Sequence, residues 1–307
     1  MSLQLKNPRR VIQWLGTLLA IGLLFFLLRE GGWEENLAAM RQIKALDLVW
    51  VALLFIISRV AVAWRWHVLL RSGGVRIPFK DSLGLTLTGL FASNFLPTTI
   101  GGDVVRLGGA MQMGFDRAVC IASIAADRLI GMAGMAMTVP VGLVYSWSLI
   151  QPGAATVSLM GFLHKPLDFA KRILSTFSIW LKQPGALLAS LACTWLHMLC
   201  LFGAIYIFVD DLGPQVSFWM IAGLWSLTYF VTQIPISING YGLQELSFTF
   251  LMTNVAGLTP ALSLTVAVLI RVYFVLASLP GAAFMPSILA AMAAQKDTPS
   301  VSELFNE

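Results

Sequence analysis

Charge is what this chain has least of. Only 11% of its 307 residues are Asp, Glu, Lys or Arg, against about 25% in a soluble domain. Residues 11–28 carry no charge, and from Gln183 to Gln295 the only charges are Asp210, Asp211, Glu245 and Arg271. So little charge cannot solvate a water-facing surface, which excludes a soluble fold and points to an all-α polytopic membrane protein. Cysteine is scarce too. Cys120, Cys193 and Cys200 lie in apolar stretches, so they read as packing residues, with no disulfide framework or CxxC site. His67, His164 and His197 lack metal-ligand spacing, and neither a metal nor a cofactor is expected. The sequence also has no phosphate-binding glycine loop, nucleophile elbow or zinc motif, so no catalytic residue and no ATP site is assigned.

What is present is apolar sequence in long runs, 58% of residues being hydrophobic. The run 11–28 follows Lys6, Arg9 and Arg10 and reads as a retained first helix rather than a cleaved signal, with the N-terminus in the cytoplasm. The connector 29–46 has mixed charge and is expected outside. A second helix over 47–70 returns to a basic loop with Arg71, Arg76 and Lys80. Residues 83–100 then enter the membrane and break. A long helix over 118–150 holds Asp127-Arg128, with Pro140 available to kink it. The basic, amphipathic stretch 164–184 suits a helix on the cytoplasmic membrane surface. A span over 185–209, a second entering segment over 217–235 and a last span over 261–290 follow, then a polar tail, 296–307, expected to be disordered. Keeping 164–184 in the cytoplasm needs two crossings between Arg117 and His164, turning at Pro140 or at Gln151-Pro-Gly. The second entering segment then comes from the side opposite to the first, as an inverted repeat requires. The reading is one domain, 1–295, with half-repeats of about 47–150 and 185–290. The net charge of +5 gathers in short loops, and no nucleic-acid partner is implied.

The two entering segments break in a similar way. One reads Asn94-Phe-Leu-Pro-Thr-Thr-Ile-Gly-Gly-Asp103-Val-Val-Arg106, the other Gln233-Ile-Pro-Ile-Ser-Ile-Asn-Gly-Tyr-Gly-Leu-Gln-Glu245. Pro97 and Pro235 remove a backbone donor, while Gly101, Gly102, Asn239, Gly240 and Gly242 tolerate unusual backbone angles, so both helices should break inside the bilayer. Each break leads to an acid and then to a buried arginine. Asp103 precedes Arg128 by 25 residues and Glu245 precedes Arg271 by 26. Paired broken helices in corresponding halves point to a substrate site at mid-depth.

Arg59, Arg128 and Arg271 all fall near the centres of their helices. A central arginine costs roughly 2.5–3.5 kcal/mol, so it faces a protein interior or a watery cavity. One reading is structural: Arg128 pairs with Asp103 or Asp127, Arg271 with Glu245, and the pairs pin the helices. The other is a phosphate site, since three interior arginines outnumber two well-placed acids and guanidinium matches phosphate, with the opened helix N-termini adding backbone N–H groups. Arg65 is expected to snorkel between Trp64 and Trp66. Asp210-Asp211 suggests the acidic pair of a membrane glycosyltransferase, or simply loop acids after a helix.

These segments resemble the transmembrane domain of the lysylphosphatidylglycerol synthase family, a flippase-like domain. The resemblance rests on Asn94-Phe-Leu-Pro97 with Gly102-Asp103-Val-Val-Arg106, on Pro235-Ile-Ser-Ile-Asn-Gly240-Tyr-Gly242-Leu-Gln-Glu245, on Asp127-Arg128-Leu-Ile-Gly131 and on Arg271. It covers essentially residues 11–290. Asn239 replaces a usual glycine, and the region between Arg128 and Lys165 is shorter than usual. The resemblance implies lipid handling: such domains move aminoacylated phosphatidylglycerol between leaflets beside a soluble synthase domain. No such domain is read in this chain, so it is not expected to make the lipid. The expectation is a flippase in the cell inner membrane, moving an anionic or aminoacylated phospholipid or a polyprenyl-phosphate glycolipid. Its headgroup would be held by Arg59, Arg128, Arg271, Asn94, Asp103, Arg106 and Glu245. The alternative is a membrane glycosyltransferase, or an accessory subunit, acting on a lipid carrier. The implied partners are the lipid and a separately encoded glycosyltransferase or lipid synthase.

Overall fold

The computed structural model describes Gly22 and residues 33–96, 101–150, 183–213, 215–234 and 237–286. The expected first helix (but for Gly22), the surface stretch 164–184 (but for its last two residues), the turn at Gln151-Pro-Gly, Pro97, Pro235 and the polar tail lie outside the described residues.

Among the described residues all regular structure is helical. The α-helices are α1 (Trp33–Gln42), α2 (Ala45–Ser72), α3 (Phe79–Ser93), α4 (Gly101–Gln112), α5 (Arg117–Tyr145), α6 (Pro184–Asp211), α7 (Phe218–Thr232), α8 (Leu243–Asn254) and α9 (Pro260–Ser278). Four helices, α2, α5, α6 and α9 with its 3-10 extension to Ala283, are long and apolar enough to cross a membrane. The protein is thus an all-α, multi-pass membrane protein. Helices α3 and α7 have 15 residues each, and α4 and α8 have 12. At about 1.5 Å per residue none reaches across ~30 Å of hydrocarbon. Each short pair, α3 with α4 and α7 with α8, instead packs on itself as a hairpin.

One order therefore occurs twice: long helix, 15-residue helix, 12-residue helix, long helix. Three contacts fix how the halves meet. Lys44, before α2, binds Asp211, the end of α6. Ser58 and His197, halfway along the same helices, share a hydrogen bond of 2.7 Å. Gln183, before α6, donates to the carbonyl of Ser72, the end of α2. Helices α2 and α6 are therefore antiparallel along their whole length, and the second half is inverted relative to the first. The α3–α4 hairpin starts from the end of the bundle holding Ser72, the α7–α8 hairpin from the end holding Asp211. Their tips meet inside, where Asn94 accepts hydrogen bonds from Asn239 Nδ2 (3.3 Å) and the Tyr241 hydroxyl (3.2 Å).

The halves also interlock through small residues, which let helices approach closely in a membrane. A Cβ on Gly142 of α5 would lie 2.4 Å from the carbonyl oxygen of Gly223 in α7, and one on Gly281, after α9, 2.1 Å from that of Leu87 in α3. Around α6 the largest apolar cluster gathers Phe202, Ile205, Phe208, Ile221, Leu224, Trp225 and Phe248.

Three expectations need correction. The connector 29–46 contains a helix, α1, which packs against α9 and buries Ala39. Pro140 does not end a span: α5 continues through it to Tyr145, since surrounding helices tolerate a proline in a membrane helix. No turn between two crossings lies there, and residues 151–163 are too few for a further span of ~20 residues before His164. Yet Tyr145 and Pro184 stand at opposite ends of the bundle: Gly142 meets α7 near its start, whereas Gly73, just after α2, meets Val119 at the start of α5. The expected last span is not one continuous helix: α9 stops at Ser278 and gives way to a 3-10 turn at Leu279–Ala283, because Pro280 has no N–H to continue the helix, and residues 287–290 lie outside the described residues.

Candidate functional site

A cavity of about 320 Å³ lies where the hairpin tips approach the middles of α2 and α6. It is lined from both halves, and its polar lining is dominated by arginine: Arg59 and Arg65 from α2, Arg106 from α4, Arg128 from α5 and Arg271 from α9. Asp103, Asp127, Asn94, Asn239, Thr194, His197 and Gln244 complete much of the polar surface.

The charges are wired into two groups. Asp127, 2% exposed, accepts from Arg65 Nε at 2.7 Å and from Arg106 Nη1 at 3.1 Å. The same Arg106 nitrogen reaches Asp103 at 3.2 Å, and Asp103 also pairs with Arg128 Nε. The ring of Trp66 lies 4.2 Å beneath the Arg106 guanidinium, a favourable place for a cation. In the second group, Arg271 Nε donates to Glu245 at 2.5 Å, while its terminal nitrogens reach the carbonyls of Asn239 (3.3 Å) and Gly240 (3.2 Å). Both pairs that the spacings of 25 and 26 residues suggested are therefore formed.

Arg59 belongs to neither group. It is 8% exposed, and its Nε and Nη2 have no hydrogen-bond partner among the described residues. Its nearest support is aromatic: Phe274 at 5.0 Å and Phe55 at 5.9 Å from the guanidinium carbon. Burying an uncompensated cation is costly, so such a group calls for an anion.

The second break is built as its residue types imply. Asn239 (φ 49°), Gly240 (φ 71°) and Gly242 (φ 75°) all lie in the left-handed region, which stops α7 from continuing into α8. Gly101 and Gly102 are different. They form the first turn of α4, and glycine is needed there for closeness, since a Cβ on Gly102 would lie 2.2 Å from the carbonyl oxygen of Gly89 in α3. At the second break Glu245 Oε2 accepts the N–H of Gly242 at 2.7 Å, so the protein's own carboxylate occupies one of the donors expected there for an anion.

Of the seven residues expected at a headgroup site, Arg59, Asn94, Asp103, Arg106, Arg128 and Arg271 line the cavity, and Glu245 stands behind it as the partner of Arg271. Arg65 does not snorkel. It is buried, because Asp127 lies across from it on α5. His197, dismissed as a metal ligand, faces the cavity, as do Thr194 and Gln244, which no sequence motif singled out. Asp211 is not at the site: it pairs with Lys44 at 2.7 Å at one end of the bundle. No group of three His, Cys, Asp or Glu side chains that could hold a metal ion occurs among the described residues.

Comparison with curated proteins finds no match. The family model described as the lysylphosphatidylglycerol synthase TM region matches residues 13–164 and again 161–281. The chain, with its paired hairpins and arginine-lined cavity, therefore belongs to the lysylphosphatidylglycerol synthase transmembrane-region family.

Proposed function

We propose that this chain is a lipid transporter of the flippase type. A phosphate-bearing headgroup would sit in the mid-depth cavity between the hairpin tips and pass from one leaflet to the other, its acyl or prenyl tails remaining in the bilayer. The observation that carries this reading is Arg59: a guanidinium buried halfway along α2, with, among the described residues, unmet donors and no ion-pair carboxylate. The exposed apolar side chains at the tips, Phe95 and Ile234, offer tails a surface next to the headgroup. The end bearing Arg71, Arg76, Lys80 and Arg117 would face the cytoplasm of the inner membrane, by the positive-inside rule. With no ATP-binding motif in the sequence, movement would run downhill or be coupled to an ion.

Sugar or aminoacyl transfer onto a lipid carrier finds less support. Asp211 is held by Lys44 and Glu245 is occupied by Arg271 and the Gly242 N–H, while Asp210 is exposed and does not line the cavity. The decisive experiment reconstitutes the purified protein in vesicles and scores leaflet exchange of labelled phosphatidylglycerol and of a polyprenyl-phosphate sugar. Wild type should accelerate exchange of at least one, and Arg128→Ala combined with Arg271→Ala should abolish it. If wild type and the double variant match in every such assay, the proposed site is wrong.

A further inference from the structure

We infer that the group this cavity takes is a dianion, the terminal phosphate of a monoester, rather than a phosphodiester or an aminoacylated headgroup. The inference rests on the reading of the cavity as a headgroup site and adds a charge to it. Five arginines line the cavity, and three carboxylates, Asp103, Asp127 and Glu245, are paired with four of them. Among the described residues the balance is two positive charges at mid-depth. The chain segments that join these residues across the two breaks, 97–100 and 235–236, carry no charge. Two uncompensated cations in a low-dielectric interior call for two negative charges in the ligand.

The unmet hydrogen bonds point the same way. Arg59 Nε and Nη2, Arg106 Nε and Nη2, and Gln244 Nε2 are buried atoms of cavity-lining residues with no partner among the described residues, and all five are donors. Arg106 is 6% exposed and Arg59 8%, so water does not readily serve them. Unmet donors need acceptors from the ligand. A phosphate monoester provides three acceptor oxygens and close to two charges at neutral pH. A phosphodiester provides two free oxygens and one charge. A lysylated phosphatidylglycerol brings two ammonium groups, which add donors where donors are already in surplus and lift the local charge further.

The test measures binding to the full-length chain in detergent at pH 8, where the monoester is doubly charged. The probes are dioctanoyl phosphatidic acid, dioctanoyl phosphatidylglycerol, its lysylated form and inorganic phosphate. Phosphatidic acid should bind at least about tenfold more tightly than phosphatidylglycerol, with the lysylated form weakest. Arg59→Gln should bring the first two close to parity, and Arg59→Lys, which keeps the charge, should retain the preference at lower affinity. Equal or tighter binding of phosphatidylglycerol or its lysylated form overturns the inference. So does an undiminished preference in Arg59→Gln; if that variant does not fold, loss of the preference in Arg59→Lys overturns it instead. Inorganic phosphate competing as well as phosphatidic acid supports the dianion site but identifies its ligand as free phosphate, which would sink the lipid-transport reading. Leaflet exchange that ignores headgroup charge has the opposite meaning: transport stands and the dianion site falls.

Discussion

Replacing Asp127 by asparagine tests whether the cavity's charges are held by one shared carboxylate. The substitution keeps the shape of the side chain and removes its charge. Asp127 lies 2.7 Å from Arg65 Nε and 3.1 Å from Arg106 Nη1, so with an effective dielectric near 20 each contact has a gross attraction of about 5–6 kcal/mol. Most of that offsets the cost of burying the three groups. What the variant exposes is the imbalance: two guanidiniums, both more than nine-tenths buried, lose their common counter-charge. Breaking a buried pair in this way costs about 3–5 kcal/mol. Unfolding by SDS titration, followed by tryptophan fluorescence, should show Asp127→Asn destabilised by that amount. Adding Arg65→Gln removes one stranded cation, so the double variant should be more stable than the sum of the singles by about 0.5–3 kcal/mol, the range for coupled neighbours. A loss below about 1 kcal/mol in Asp127→Asn, or strict additivity with Arg65→Gln, refutes the shared-carboxylate account.

Two further predictions probe parts of the frame outside the cavity. Gly142→Ala places a methyl group 2.4 Å from the Gly223 carbonyl oxygen, and because the obstacle is backbone, α5 and α7 must separate at a cost of about 1–3 kcal/mol. Gly203→Ala meets only Leu54 at 3.6 Å and should unfold like wild type in the same titration. Lys44→Met removes the ion pair with Asp211 and should leave leaflet exchange unchanged, since Lys44 lies at the end of the bundle with its side chain 71% exposed. The hydrogen bond to Asp211 raises the Lys44 pKa. A raised pKa means that its contribution is present at neutral pH and lost only as pH rises through the folded value, above the ordinary ~10.4 of lysine. The stability profiles of wild type and Lys44→Met between about pH 6 and 9 should therefore be parallel.

Much of the site could be read in the sequence because its partners recur at matched separations. Asp103 with Arg128 and Glu245 with Arg271 stood out because a short helix, a loop and about three turns of a long helix bring an acid and an arginine to one level in each half. The opposed hairpins followed from where lysine and arginine gather. Arg65 was misjudged because helix phase and distance from the end say nothing about what stands opposite. Its partner Asp127 is 62 residues away and on another helix, and only packing reveals that contact. His197 escaped notice for the same reason, since its role depends on Ser58 across the α2–α6 interface rather than on any neighbour in sequence. The glycines at 101 and 102 were legible as special, but for the wrong cause: closeness to the Leu96 side chain and to α3 respectively demands them, and that cannot be told from a backbone turn until the hairpin is in place.

The halves are alike in chemistry and unlike in state. In an inverted repeat the pairs Asp103–Arg128 and Glu245–Arg271 hold equivalent places, yet the Arg128 side chain is 36% exposed and that of Arg271 only 13%. The difference comes from what covers them. Arg271 is roofed by the Tyr241 ring at 4.7 Å and held by two carbonyls of the broken segment, and Tyr241 is itself tied to Asn94 on the opposite tip. Asn94 also donates to Ser278 at 2.9 Å, so one asparagine of the first hairpin fastens the second hairpin and α9 together over the second pair. The antiparallel α2–α6 core gives each half the same long-helix framework. The contacts that fasten the tips over the second pair are a few hydrogen bonds, each worth about 0.5–1.5 kcal/mol. For the lipid transport proposed above, the asymmetry therefore resides in the latches at the tips, while the frame that carries them is repeated in both halves.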